Sequence, residues 1–407
     1  MNDSFDFAVI GGGIAGVSIA SHLAEHARVA LVEMEPQTGY HSTGRSVSLF
    51  CETYGAPVVR TLTRASRRFY FEPPSAFCTA PLVTPRPILM IASSSQADAL
   101  QEFFASATPR DRVERLSRRE AIEAFPLLAR SDLVGAALLR ETADIDVHEL
   151  LQGFLRLFRT RGGILSAHTT LTQLARHGDA WTLSTSRGDI RAATVVNAAG
   201  AWAGEIGKLA GAMNIGLRPL KRSVALIEQP PDHNMNDWPL LVDAEERFYA
   251  KPSPGRLFLS PADETLSAPC DAQADDIDLA EAVDRFERAT TIEVKRLVGR
   301  WAGLRSFVAD REPVVGFDPV VPGFFWLAAL GGYGIQISPA LSFLAASWVR
   351  GCPIDADRVA HGFQGVDEIV ESQLSPCRLK SSDEITTARG PAVSFTSARQ
   401  NSTNECH

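Results

Sequence analysis

The chain of 407 residues has no run of about 18 apolar residues, the least that spans a membrane as a helix. Its opening, MNDSFDF, lacks the basic and apolar regions of a secretory signal. A cytoplasmic protein with no membrane span is expected. Basic charge is also in short supply: 40 Lys and Arg face 48 Asp and Glu, giving a net charge of −8. No cluster of Lys and Arg alternates with aromatics, so the electrostatic footprint of a nucleic-acid binder is missing. The six cysteines, Cys51, Cys78, Cys270, Cys352, Cys377 and Cys406, include no CxxC pair, and the nine histidines show no ligand spacing. Neither a zinc site nor a redox dithiol is indicated, and no metal is expected.

What is present is organised around Phe7 to Glu33, FAVIGGGIAGVSIASHLAEHARVALVE. A short apolar run, a glycine turn, an apolar-periodic segment and a second apolar run spell strand, turn, helix and strand. In such a unit Gly11 permits the sharp turn, Gly13 clears the approach of a pyrophosphate to the backbone, and Gly16 lets the helix lie close to the sheet. The helix N-terminus, with Ile14 and Ala15 in its first turn, offers N–H groups and a positive dipole end to the phosphates. Glu33, ending the second strand, is placed for the hydroxyls of an adenosine ribose. Dinucleotide binding follows, with FAD favoured over NAD because the motif stands at the N-terminus.

The next stretch, EPQTGYHSTGRSVSLF, is rich in small polar residues around one cation. Ser42, Thr43, Arg45 and Ser46 could line a phosphate and one flavin edge; a solvated loop entering a helix at Val47 is the alternative. Helices are expected over 55–72, 97–106, from a capping box at Ser117 and Glu120, and from a second box at Asp146 and Glu149 up to Gly162 and Gly163. Strands are expected at 82–83, 88–92, 164–165, and as a hairpin over 181–185 and 190–196. TVVNAAGAW, residues 194–202, is a buried parallel strand ending in small residues, so Ala199 and Gly200 can approach a cofactor. RSVALIEQ, LLVDAEERFYAK and RLFLS read as antiparallel sheet, followed by a helix over 279–295. Near the C-terminus a strand, Phe324 to Ala329, runs into Gly331, Gly332, Tyr333 and Gly334, and a helix is expected from about Ser338. That second helix N-terminus would stabilise the negative charge a flavin develops on accepting hydride, which favours FAD further.

GGGIAG, Glu33, GYHSTGRS, VNAAGAW, WAGLRSFVADREPVVG and GGYGIQ, in that order, make the chain resemble the D-amino acid oxidase-like superfamily of FAD-dependent oxidoreductases. Within it, GYHSTGRS with Tyr54-Gly55, the TPRP at 84–87 and GGYGIQ are most similar to bacterial D-arginine dehydrogenase. The resemblance covers about residues 5–379. It implies an α/β fold of the glutathione reductase type: a Rossmann-like FAD-binding domain, discontinuous over 1–76, 143–217 and 301–377, with an inserted antiparallel-sheet substrate domain over 77–142 and 218–300. Residues 378–407 are expected to be a disordered tail. Cofactor contacts implied in addition are Met34, His41, Thr170, Gly303, Arg305, Ile335 and the flavin-side Gln336. The substrate carboxylate would be gripped by Arg222, Arg305, Tyr54 and Tyr249, and the amine would meet the Gly332 carbonyl.

Two departures bear on the substrate. A glutamate that pairs with a guanidinium in D-arginine dehydrogenase is Ile88 here, which favours neutral or apolar side chains. An active-site histidine is replaced by Leu49, with Cys51 for a nearby Thr. The expected reaction is oxidative deamination of free D-amino acids by hydride transfer from Cα to flavin N5, giving imino acid, then 2-oxo acid and ammonia. Oxidation of N-methyl or cyclic amino acids or of 2-hydroxy acids, and a flavin-binding subunit without turnover, are the alternatives. No general base is assigned, since no His or carboxylate is convincingly placed, and the electron acceptor, oxygen, quinone or another, stays open.

Overall fold

β1 (Ser4–Ile10) buries almost its whole length because it is sandwiched between parallel partners on both sides. One is Gly188–Asn197, in register from Ser4 with Arg191 to Ile10 with Asn197. The other is β2 (Val29–Val32), which in turn pairs in parallel with Ile164–Ser166. Fully buried parallel strands read as continuous apolar runs, which is what Ala8-Val9-Ile10 and Val29–Val32 are. The computed structural model describes residues 4–129, 131–356, 359 and 362–379; from residue 380 on, the expected disordered tail lies outside the described residues. The eight-stranded sheet is completed by the hairpin Leu171–His177 and Ala180–Thr185, and by Val314–Phe317 paired with Phe324–Ala328. Phe324–Ala328 joins Gly188–Asn197 in parallel, and so lies one strand away from β1.

α1 (Ile14–Leu23) packs between the helices Val147–Thr160 and Gly334–Val349. Its approach to β1 is set by Gly16, where a Cβ would stand 1.8 Å from the Gly11 carbonyl oxygen. The turn at Gly11 has φ +106, and a Cβ there would stand 2.4 Å from the Ala198 carbonyl. Both positions require glycine.

A second, nine-stranded sheet runs Thr265–Leu266, Arg218–Glu228, Arg256–Ser260, Tyr249–Ser253, Leu240–Asp243, Ile88–Ser93, Leu133–Leu139, Val113–Leu116, with Leu297–Phe307 on Arg218–Glu228. Leu297–Phe307 crosses the expected boundary at residue 301 and carries Gly303 and Arg305 in from this sheet. The antiparallel expectation has one exception: Leu240–Asp243 pairs in parallel with Ile88–Ser93, which the long intervening chain permits. Among the described residues no helix is long and apolar enough to cross a membrane.

Three local expectations are corrected. The helix read as 279–295 spans Asp276–Ala289, because Thr290 turns extended. Asp146 caps its helix by accepting the Glu149 N–H at 2.8 Å, but Glu149 uses its carboxylate on Arg156 rather than closing a box. The helix expected from about Ser338 starts at Gly334, ends at Val349 and holds Pro339 in its body. Proline cannot donate to the Ile335 carbonyl, so the Tyr70 hydroxyl and Ser338 Oγ donate to it instead. Tyr70→Phe is therefore expected to lower stability by about 1 kcal/mol, read as a shift of the urea midpoint; an unshifted midpoint contradicts the assignment.

Candidate functional site

Two adjoining cavities open between the sheets. The first is lined by Gly13, Ile14 and Ala15 of the first turn, by Glu33 and Met34, by the loop residues His41, Ser42, Thr43, Arg45 and Ser46, and by Gly200 and Trp202. It is lined as well by Gly303, Arg305, Gly331, Gly332, Gly334 and Ile335. The second is lined by Tyr54, Cys51, Gln336 and Glu246 and by an apolar wall of Leu49, Ile88, Met90, Phe103, Leu139, Leu240 and Val242. Arg222, Tyr249, Arg305 and Gly332 belong to both linings and mark the junction.

The first cavity is built for a dinucleotide. Gly13 caps α1 with no side chain of its own, and Thr43 Oγ1 accepts the Ile14 N–H at 3.0 Å from 29 residues away. Glu33 is buried, and its two oxygens accept the Gly12 N–H at 2.6 Å and the Glu35 N–H at 2.8 Å. Burial pushes the Glu33 carboxyl above the usual carboxylate range, while those two N–H groups pull the other way. His41 Nε2 stands 2.9 Å from Glu35 Oε1, and its ring lies tilted against Trp202, centroids 4.6 Å apart. Ser42 Oγ donates to the Leu304 carbonyl at 2.6 Å.

Other named residues stand apart. Arg45 does not present a free cation: it pairs with Asp271 and donates to the carbonyls of Ala272 and Ala302. Gly11 and Gly16 lie under the turn rather than on the lining, and Ala199 backs Gly11 there. Thr170 lies outside both linings, its N–H donating to Ser186 Oγ. Tyr333 packs its ring on Tyr54 at 5.1 Å and on Phe307 at 6.1 Å, supporting the site from behind. Gln336 accepts the Cys51 N–H, and its buried Nε2 has no partner among the described residues. An unpartnered buried donor calls for an acceptor, which a flavin carbonyl would supply. With the side-chain-free Gly13 at the start of α1 on the first lining and this donor on the adjoining one, the residues fit FAD.

At the junction the two arginines differ. Arg305 Nη1 donates to the Tyr54 hydroxyl at 3.3 Å, its one hydrogen bond among the described residues. Gly332 passes directly over the guanidinium, since a Cβ there would stand 2.8 Å from Nη1. Arg222, by contrast, donates through Nε to the Asp263 carbonyl at 2.9 Å and pairs with Glu264 at 3.2 Å. Glu264 also pairs with Arg311 at 2.8 Å. Burial raises the Tyr54 hydroxyl above the usual tyrosine range despite the neighbouring Arg305, so it serves as a neutral donor. Burial likewise pushes the Cys51 thiol up, which disfavours a thiolate.

Glu246, on the lining of the second cavity, is a charged residue that sequence reasoning did not single out. LLVDAEERFYAK reads as one strand, but it breaks into Leu240–Asp243 and Tyr249–Ser253 around a turn at Glu246, φ 52. No glycine or proline betrays that turn; the adjacent acids Glu245 and Glu246 were its one signal. Trp202 stood inside a motif already singled out.

The Glu33 geometry is directly testable. Glutamine at this position offers one acceptor to two N–H donors, so Glu33→Gln is expected to weaken FAD binding by about tenfold or more. Equilibrium release of flavin fluorescence measures it, and an unchanged Kd contradicts the role.

Comparison with known proteins agrees with this cavity. Residues 6–348 match the family model described as FAD dependent oxidoreductase. Glycine oxidase of Geobacillus kaustophilus is 25% identical, over 86% of this chain and 94% of its own length. Its crystal structure superposes with a TM-score of 0.75 at 21% identity, covering 89% and 98% of the two chains. Glycine oxidase of Bacillus subtilis is 25% identical over 89% and 98%. L-Proline dehydrogenase from P. horikoshii shares the fold, with a TM-score of 0.73 at 20% identity over 91% and 100%. These relatives confirm the wider resemblance, and the narrower likeness to D-arginine dehydrogenase rests on its motifs alone. The match, the fold and the dinucleotide cavity agree: this chain belongs to the FAD dependent oxidoreductase family.

Proposed function

We propose that the protein oxidises the carbon–nitrogen bond of small carboxylate-bearing amines, with glycine, N-methyl and cyclic amino acids favoured over free D-amino acids. The observation that carries this is the half-buried Arg305 guanidinium at the cavity junction, held by a neutral Tyr54 hydroxyl and paired with no carboxylate among the described residues. A buried charge needs a counter-ion, and a substrate carboxylate supplies one bidentately. Relatives named for glycine and proline support the choice of amine; the earlier expectation of free D-amino acids takes second place.

In this reading the sheet around β1 holds FAD and the second sheet shapes the substrate site, the division expected from the sequence. FAD, when bound, supplies the two-electron acceptor. Arg305, Tyr54, Tyr249 and Arg222 hold the carboxylate, and the carboxylate fixes which C–H faces the cofactor; such orientation is the main contribution of the chain. Arg222 contributes after sharing Glu264 with Arg311. The second cavity, about 150 Å³, is of the size at which an apolar hole takes up benzene, so a ring or branched substituent fits beside the clamp. Its wall at Ile88, Met90 and Leu139 offers a distal cation no partner.

Anaerobic flavin bleaching with a panel of amines checks the reading. Glycine, sarcosine and proline are expected to bleach faster than D-Leu or D-Met, and D-arginine slowest of all. Preference for D-arginine contradicts the Ile88 argument. Arg305→Ala is expected to raise KM for a good substrate by about 100-fold, in steady-state kinetics at constant FAD occupancy; an unchanged KM removes Arg305 from the clamp.

A further inference from the structure

We propose that Glu246 pairs with the substrate ammonium and takes its proton before oxidation, an assignment that rests on the amine-oxidising reading above. Glu246 occupies the tight turn between Leu240–Asp243 and Tyr249–Ser253 with left-handed backbone, φ 52. That conformation is uncommon for a side chain of this size and costs energy, which persists where the surroundings over-determine it. Here the surroundings do so through Asp243, which accepts the Arg247 N–H, while its carbonyl accepts the Glu246 N–H at 2.9 Å.

The other acids of the turn are already engaged. Asp243 accepts from Gln96 at 2.6 Å and pairs with Arg247 at 3.0 Å, and Glu245 pairs with Arg247 at 3.2 Å. The Glu246 side chain forms no hydrogen bond or ion pair among the described residues. It is instead the one carboxylate among the described residues lining the second cavity.

The charged and titratable groups facing it are Arg222 and Arg305 from the clamp, Glu264 and Asp243 from neighbouring turns, and Tyr54, Tyr333 and Cys51. Burial raises its carboxyl above the usual range, the two arginines act against that, and Glu264 and Asp243 add to it. Two guanidinium groups and one free carboxylate around a single space complement a zwitterion: the arginines meet its carboxylate, and Glu246 meets its ammonium. An ammonium cannot be oxidised until it gives up a proton, and Glu246 is the base at hand. One N–H bond of the ammonium breaks and an O–H bond forms on the Glu246 carboxylate. The freed lone pair becomes the C=N bond as the α-hydrogen leaves with its electron pair to FAD, which gains two electrons. The chain therefore supplies the base that its sequence concealed.

Pairing is read without turnover by titration calorimetry of the FAD-loaded protein with two ligands. 2-Methylalanine carries both charges but no α-hydrogen; isobutyrate lacks the ammonium. Above neutral pH the wild type is expected to prefer 2-methylalanine by about tenfold or more, and Glu246→Gln to lose that preference. The same preference in both proteins overturns the pairing. Proton transfer is read by anaerobic flavin reduction against pH with a bleaching substrate. Wild-type rates are expected to rise as Glu246 loses its proton. Glu246→Gln is expected to be about 10²–10⁴-fold slower at neutral pH and to recover where the free amine is unprotonated. Glu246→Asp, which keeps the carboxylate on a shorter arm, retains the shape of the wild-type profile. A Glu246→Gln profile equal to wild type, or a flat wild-type profile, overturns the proposal alone, whereas a wild type bleached by no carboxylate-bearing amine overturns the function reading beneath it.

Discussion

A half-buried cation with no anion paired to it among the described residues is the constraint from which the rest of the site follows. Arg305 lies on Leu297–Phe307, covered by Gly332 and held by the Tyr54 hydroxyl. Partial desolvation of a guanidinium carries a cost that an opposite charge offsets and a neutral acceptor such as the Tyr54 hydroxyl does not. The fold keeps that cost in place by closing the chain around it. Gly332 of the Gly331–Gly334 turn passes over the guanidinium, and edge-on contacts of Tyr333 with Tyr54 and Phe307 pack beside it. Arg222 shows the contrast, because Glu264 neutralises it in advance and ties it to Arg311. One arginine therefore waits for an anion while the other is already balanced.

The same economy governs the loop over the junction. Val47 and Ser48 line the second cavity, and their carbonyls accept from Lys251 Nζ. Lys251 is itself buried and stands 3.0 Å from Asp144, whose other oxygen accepts from Arg86 Nε at 2.9 Å. Burial lowers the Lys251 pKa and Asp144 opposes that. Arg86 continues the chain of contacts to the carbonyls of Asn236 and Trp238. A buried network of this kind fixes a loop that carries neither helix nor strand, so the cofactor and substrate cavities share a rigid wall.

How much of this was written in the sequence depends on the range of the interaction. The β1–α1–β2 unit was fully legible, because glycine spacing and apolar runs act within about thirty residues of chain. The meeting of Arg222, Tyr249, Arg305 and Gly332 at one junction was legible through motif resemblance. Their inequality was not, because Glu264 is 42 residues from Arg222 and carries no motif. Arg45 looked free for a phosphate for the same reason: Asp271, its partner, is 226 residues away. A helix was expected from about Ser338; it begins at Gly334 instead, with the Ile335 carbonyl that Pro339 leaves open accepting from Ser338 Oγ and the distant Tyr70 hydroxyl. Glu246 was hidden by a turn made without glycine or proline.

The most direct measurement is a crystal structure of the FAD-loaded protein with an unreactive carboxylate such as isobutyrate. Density for the carboxylate is expected against the Arg305 guanidinium and the Tyr54 hydroxyl, beside a flavin ring that fills the junction near Gly332 and Gln336. A carboxylate bound elsewhere, with Arg305 still facing only tyrosine, would contradict the claim that this arginine is held unpaired for the substrate.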